Sequence, residues 1–380
     1  MLFQTPPITE REAEVIDEIE AIRRQLNLPR LREWPGLPWR AIYTRGFRAN
    51  LAGYNVLSED AIAAAEGDEQ AAASSEAWSA ASSYRAALTF VLQLADDPDF
   101  TYDEEVFRAL HNMMMEHDPA KTPGRWRRGS MTVYREASGH IVYRGPAAQL
   151  IPELMAELIG SLNGSDDSPV IIRAAMAHLN LTAIHPFLNG NGRMARALQT
   201  LVLARHGISA PAFASIEEYL SVNHVQYEKV LLEVTGGAWP PARDARPWIR
   251  FCLTAHLHQA TTLLRLTREY DRLWDELERE VMRRGLPERM ISAVAEAAIG
   301  GRLRGPEYRS VAGVSARAAN RDLKHLVDEG LLLAASDKRG PYYLAAGLVK
   351  TIQAQTRSPH APDRDPFATS GNLQAIASGG

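Results

Sequence analysis

Apolar residues in this chain recur mostly at helical spacing, and the breaks between the recurrent stretches are rich in Pro, Gly, Asn and Ser. Val15, Ile16, Ile19 and Ile22 predict an amphipathic helix over 9–27, with Thr9 as its N-cap. A Pro- and Trp-rich connection follows at 29–39. Residues 68–94 read as an Ala-rich helix whose buried side ends in Phe90, Val91 and Leu94. Val106, Leu110, Met113 and Met114 form the core stripe of a helix over 102–115, the methionines serving as gap filler. Residues 130–144 depart from this rhythm. Met131-Thr132-Val133-Tyr134 and Ile141-Val142-Tyr143 are β-prone and flank Ala137-Ser138-Gly139-His140, which predicts a hairpin that needs support from a neighbour. Helix resumes over 148–162. From Val170 to Ile184 the chain is almost continuously apolar; after it, Met194, Leu198 and Leu201 share a helical face that Gly207 stops. Residues 185–192 are therefore a tight loop between two helices, the second starting at about Gly192.

Downstream, Trp239-Pro240-Pro241 breaks the pattern, and residues 247–284 read as one long helix or two. The last folded unit, 286–346, shows helices at 287–299 and 306–311, then a third that Ser315 caps and Gly330 ends. Leu331-Leu332-Leu333 and Tyr342-Tyr343-Leu344 pair around Asp337-Lys338-Arg339-Gly340. From Gln353 on, Ser, Pro, Gly and Asp dominate and predict disorder. Hydrophobic residues at 46% leave enough material for a sizeable core. A net charge of −4 argues against a general nucleic-acid binder. One cysteine, Cys252, excludes an internal disulfide framework and reads as buried filler. The N-terminus runs straight into an acidic helix, with no signal peptide expected, and no apolar run is long enough to span a bilayer, so the expected location is cytoplasmic with no membrane partner.

The candidate chemistry sits in the tight loop, His185-Pro186-Phe187-Leu188-Asn189-Gly190-Asn191-Gly192-Arg193-Met194-Ala195-Arg196. Gly190-Asn191-Gly192 lets backbone N–H groups face a ligand without Cβ obstruction. Arg193 and Arg196 share a face in the first turn of the helix, where the dipole is already positive, an unfavourable arrangement that a polyphosphate would relieve. His185 can take a proton from a hydroxyl near neutral pH, and the Asn191 amide can donate to a phosphate oxygen. Further on, Tyr219, Asn223 and Tyr227 are spaced by four, so they line one helical face suited to a purine, either as a pocket or as a tyrosine stripe in the core.

This stretch resembles the Fic-domain motif His-Pro-Phe-x-(Asp/Glu)-Gly-Asn-Gly-Arg-x-x-Arg at every specified position except Asn189. The resemblance implies a mainly α fold: a Fic-type helical domain with a small β-hairpin flap at 41–285, after an N-terminal helical segment at 1–40. A winged helix-turn-helix at 286–350 resembles modules attached to such domains, and 351–380 is the expected disordered tail. It also implies transfer of AMP from ATP to a protein hydroxyl (AMPylation). His185 would be the base, and Gly190, Asn191 and Gly192 would cradle the α-phosphate. Arg193 and Arg196 would hold the remaining phosphates, and Tyr219, Asn223 and Tyr227 would line the adenine pocket. The target protein would dock on the 130–144 flap. Pro123-Gly124-Arg125-Trp126-Arg127 is close to the Pro-Gly-x-x-Arg segment that precedes the flap.

Three departures bear on activity. Asn189 replaces the acidic residue that holds Mg2+ or Mn2+ in the family, and an amide oxygen brings no charge to the ion, so metal binding should be weak. Gly53-Tyr54-Asn55-Val56 is either an ordinary helix end or resembles the stretch after the glutamate of the family's inhibitory helix. In that resemblance the glutamate slot holds Ala52 and Arg48 stands where Ser or Thr is usual, which predicts an Arg196 with no internal carboxylate from that helix. Finally, Arg317, Asn320, Arg321 and Lys324 decorate the second helix of the C-terminal unit as either a DNA-reading or a protein-docking face. The residues leave open a homodimer, and also a catalytically silent ATP-binding regulator whose winged helix binds DNA or a partner.

Overall fold

The computed structural model describes residues 1–26, 76–134, 141–208, 216–239, 243–299, 301–337, 340–359 and 364–368. The Ala52 slot, the 29–39 connection and the 135–140 hairpin turn lie outside them. The chain divides into two compact units.

The first unit opens with α1 (Glu10–Gln25). Its N-terminus is closed by a reciprocal pair: Glu12 N–H donates to Thr9 Oγ1 at 3.3 Å, and Thr9 N–H donates to Glu12 Oε2 at 2.9 Å. There follow α2 (Glu76–Asp96), α3 (Glu104–Met115, capped by Asp103), strands β1 (Thr132–Tyr134) and β2 (Ile141–Arg144), α4 (Ile151–Asn163), α5 (Val170–Ile184) and α6 (Asn191–Arg205). Then come α7 (Glu217–Val222), α8 (His224–Thr235) and the start of α9 (Arg246–Arg283). The nearly continuous apolar run of the α5 sequence has a direct cause, since a helix that is apolar on most sides must be buried on most sides. One side of it, with Ala174, Ala177 and Leu181, packs with Phe107, Met114, Leu158 and Leu198. The other, with Ile171, Ile172 and Leu179, packs with Val15, Ile19, Val230 and Trp248. Cys252 is buried, as its apolar surroundings predict.

β1 and β2 pair antiparallel, Thr132 with Arg144 and Val133 with Tyr143, with an irregularity before Tyr134. The support that a two-stranded hairpin needs comes from three hydrogen bonds. Tyr143 OH donates to Ala183 O at 2.7 Å, Arg144 N–H to Gly237 O at 3.0 Å, and Trp239 N–H to Arg144 O at 3.0 Å. The last two pair β2 with the segment after α8 and leave the outer edge of β1 without a strand partner among the described residues.

The second unit holds the rest of α9, then α10 (Ile291–Ala298), α11 (Gly305–Ala312), α12 (Ala316–Asp328), β3 (Leu332–Asp337), β4 (Gly340–Ala345) and α13 (Gly347–Thr356). Leu277 and Val281 pack with Val294, Tyr308, Leu323, Leu326 and Leu332. Ser315 Oγ caps α12 by accepting from Ala318 N–H, and Gly330 follows it with φ 69°, as expected of these two residues. Arg317, Asn320, Arg321 and Lys324 are exposed. The expectation of disorder from 351 on is corrected in part. Residues 351–356 continue α13, where Val349 and Thr356 are buried, and Phe367 packs in the first unit against the cluster of Trp248 and Val15. Residues 360–363 and 369–380 lie outside the described set. No helix among the described residues is long and apolar enough to cross a membrane.

Candidate active site

The loop between α5 and α6 is built from both ends. At its start His185 occupies the left-handed region, φ 51° and ψ 60°, and its N–H closes α5 on Leu181 O at 3.0 Å. A left-handed non-glycine residue is uncommon and is held there by its surroundings. Its Nδ1 lies 3.3 Å from Thr182 O. A carbonyl oxygen only accepts, so Nδ1 carries the proton and Nε2 keeps its lone pair. Burial, with a smaller contribution from the nearby Arg127 charge, lowers the His185 pKa to about 4, against the opposing Thr182 bond. At neutral pH the imidazole is an uncharged base.

The middle of the loop is braced from within and from α3. Asn191 accepts from Phe187 N–H at 3.0 Å and donates to Phe187 O at 3.0 Å. Both ends of its amide are thus engaged in bracing the loop. His111 is fully buried and stacks on Phe187 at 3.7 Å. Its Nδ1 accepts from Gly124 N–H at 2.9 Å, so Nε2 carries the proton and donates to Asn189 O at 3.0 Å. Burial takes its pKa down to about 4. Gly190, at φ 76°, has Met115 Sδ and His111 Nε2 within 3.4 Å of where a Cβ would stand, so this glycine is required both by conformation and by space. No side chain caps α6, whose first-turn N–H groups have no acceptor within the helix.

The two arginines part company. Arg193 is buried, with Nη1 3.3 Å from Met114 O and Nη2 2.8 Å from Met115 Sδ, so its guanidinium lies against the end of α3. Arg196 keeps a partly buried Nε at 3.3 Å from Glu217 Oε1, and Glu217 also accepts from the buried Tyr84 hydroxyl. An internal carboxylate thus reaches Arg196 from α7, whereas the Ala52 helix, from which none was expected, lies outside the described residues. Burial and the Glu217 charge hold the Tyr84 hydroxyl well above the ordinary phenol range.

Tyr219, Asn223 and Tyr227 come from two helices, because α7 ends and α8 begins at Asn223, with φ −117°. The Asn223 amide donates to Tyr219 O at 3.0 Å, and Tyr227 OH lies 3.2 Å from His178 Nε2. The rings of Tyr219 and Tyr227 stand against Phe251, with Tyr227 also beside Trp248. His178 and Gln199 tie α5 to α6 at 2.7 Å.

Asn189 is exposed and its Oδ1 accepts from Gly190 N–H at 2.6 Å. The described residues hold no group of three His, Cys, Asp or Glu able to bind a metal. This donor set does not fit a protein-held magnesium ion.

Arg127 was given no role by the sequence beyond its place in Pro-Gly-x-x-Arg. It is buried and donates to His185 O at 2.8 Å, Gly129 O at 2.7 Å and Pro146 O at 2.7 Å. One guanidinium thus joins the loop to both ends of the hairpin. His111, Tyr84 and Glu217 were also missed, having no local sequence signal.

Residues 101–203, which run from just before α3 almost to the end of α6, match the model of the Fic/DOC family. The chain carries a Fic domain. A probable protein adenylyltransferase from Aquifex aeolicus is 26% identical over 133 residues, 34% of this chain and 40% of that protein. Protein adenylyltransferase fic-1 of Caenorhabditis elegans is 37% identical over 93 residues, 22% of this chain and 18% of that protein. A Fido domain-containing protein of Dictyostelium discoideum is 35% identical over 97 residues, 23% of this chain and 66% of that protein. The matches to the two adenylyltransferases span less than half of their length. A Fic family protein from Desulfovibrio desulfuricans shares the fold with a TM-score of 0.59 at 19% identity, over 91% of this chain and 99% of that one.

Proposed function

We propose that the Fic domain transfers AMP from ATP to a hydroxyl of a protein, slowly because Asn189 brings no charge to a metal ion. The observation that carries this reading is His185. It is neutral at pH 7, its proton is on Nδ1, and its Nε2 lone pair is available beside an uncapped helix N-terminus. Nε2 takes the proton of the attacking hydroxyl. The hydroxyl oxygen bonds to the α-phosphorus of ATP, the bond to the bridging oxygen breaks, and pyrophosphate leaves. The first-turn N–H groups of α6 meet the charge that grows on the α-phosphate oxygens. Arg196, once turned from Glu217, takes the phosphates that leave. The target chain extends along the open outer edge of β1. Any magnesium arrives on the ATP phosphates.

We read the second unit as a winged helix-turn-helix, α11 and α12 followed by the β3–β4 hairpin, whose exposed Arg317, Asn320, Arg321 and Lys324 dock a protein. A chain of net charge −4 and a short basic face support docking over DNA.

Incubation with ATP labelled at the α-phosphate tests the transferase reading. Label fixed on protein, absent with γ-labelled ATP and absent in His185→Ala, is the expected result. Label from the γ-phosphate alone would make the activity a phosphorylation. No fixed label would favour the silent nucleotide-binding regulator.

A further inference from the structure

A second cation-rich site lies in the segment between α3 and β1. A cavity of about 560 Å3 is lined by Arg108, Arg125, Trp126, Arg127, Arg128 and, just before α4, Gln149. Among the described residues, the carboxylate in contact with its wall is Glu104, and it is occupied: Oε1 accepts from Arg108 Nη1 at 3.0 Å and from Trp126 Nε1 at 3.1 Å. The other three arginines have no such neutralisation. Arg125 and Arg128 are exposed and make no ion pair with any described residue. Arg127 is buried, and all of its acceptors are uncharged carbonyl oxygens. Buried charges are ordinarily paired with opposite charge, so this wall carries a standing positive field that an anion would relieve.

We propose that this cavity docks an acidic segment of a polypeptide at the base of the hairpin. A nucleotide is the poorer fit. The Trp126 ring already meets Phe187 at a tilt, 4.7 Å away, and lies beneath the Arg108 guanidinium at 5.8 Å, so a base would compete with these contacts for its faces. An extended chain with carboxylates matches arginines spread along an exposed loop, and Arg127 joins that loop to Gly129 O and Pro146 O, the two ends of the hairpin. That the bound polypeptide is the one carrying the acceptor hydroxyl rests on the transferase reading; that the cavity takes acidic chain does not.

The full-length chain is titrated against fluorescein-labelled hexa-aspartate and, separately, hexa-lysine by fluorescence anisotropy at low ionic strength, without ATP. Because the protein is net negative, general charge favours hexa-lysine, and preference for hexa-aspartate reports a local site. The expected result is saturable hexa-aspartate binding that falls with salt and that R125A/R128A weakens about tenfold, the order expected for two partly exposed ion pairs. R125E/R128E should abolish it. Both sites are exposed, so the variants keep the fold, and their ATP affinity by calorimetry should match the parent. No preference for hexa-aspartate, or equal binding by R125A/R128A, overturns the proposal. An equal loss of ATP affinity in the variant also overturns it, by making the cavity a nucleotide site. Absence of AMP transfer would leave the peptide result standing, so the two readings fail separately.

Discussion

Glu217→Gln should tighten ATP binding. Arg196 must face phosphate in the proposed reaction, yet its Nε lies 3.3 Å from Glu217 Oε1, with side-chain exposures of 18% and 7%. At an effective dielectric of about 20, opposite unit charges at that separation attract by ~5 kcal/mol. Desolvation offsets much of this in a partly buried pair. If roughly a quarter of it opposes the nucleotide, removing the charge is worth ~1.4 kcal/mol, or about tenfold in Kd. Glutamine keeps an oxygen able to accept from the Tyr84 hydroxyl, so the packing of α2 against α7 survives. Calorimetric titration of both proteins with ATP, with thermal melts run alongside, reads the effect. Equal or weaker binding by a variant of unchanged Tm would refute the reasoning and make Glu217 an orienting partner of Arg196.

Asn189→Asp should restore a charged ligand at the loop, raising Mn2+ affinity measured by electron paramagnetic resonance as well as the rate of AMP transfer; a variant with neither change would remove Asn189 as the cause of slow turnover. Acid should destabilise the fold between pH 6.5 and 4. His111 and His185 have pKa values near 4 and His178 near 3, all below the ordinary 6.5 because of burial. The unfolded chain therefore binds protons first as pH falls, and each histidine adds up to ~1.4 kcal/mol per pH unit to the loss. Urea midpoints at pH 7 and pH 5 check this, and equal midpoints contradict it. Asp322→Ala should lower stability by ~3 kcal/mol, because Asp322 is 1% exposed and accepts from Arg289 at 2.7 and 2.9 Å and from Tyr308 OH at 3.1 Å. Chemical denaturation measures it.

The motif loop was legible because its constraints are local. Gly190 needs positive φ, Pro186 follows a helix end, and the apolar run of α5 declares a helix buried on both sides. Ser315 and Gly330 marked the ends of α12 for the same reason. What could not be read depended on distant partners or on a single dihedral. The spacing of Tyr219, Asn223 and Tyr227 is the same whether the helix runs on or breaks at Asn223. The direction of the Arg193 side chain is set by Met114 and Met115 on α3, and that of Arg196 by a carboxylate on α7. Phe367 packs despite its Ser- and Pro-rich surroundings because one aromatic ring finds Arg250 and the core beside it.

The central claim is that neutral His185 serves as the base for AMP transfer to protein. Intact mass measurement of the full chain after incubation with ATP and Mn2+ tests it most directly, with Asn189→Asp beside the parent and His185→Ala in both backgrounds. The account predicts a gain of one AMP, slow in the parent, faster in Asn189→Asp and absent wherever His185 is replaced. An AMP adduct that persists in His185→Ala, or no adduct in any of the four proteins, would contradict it.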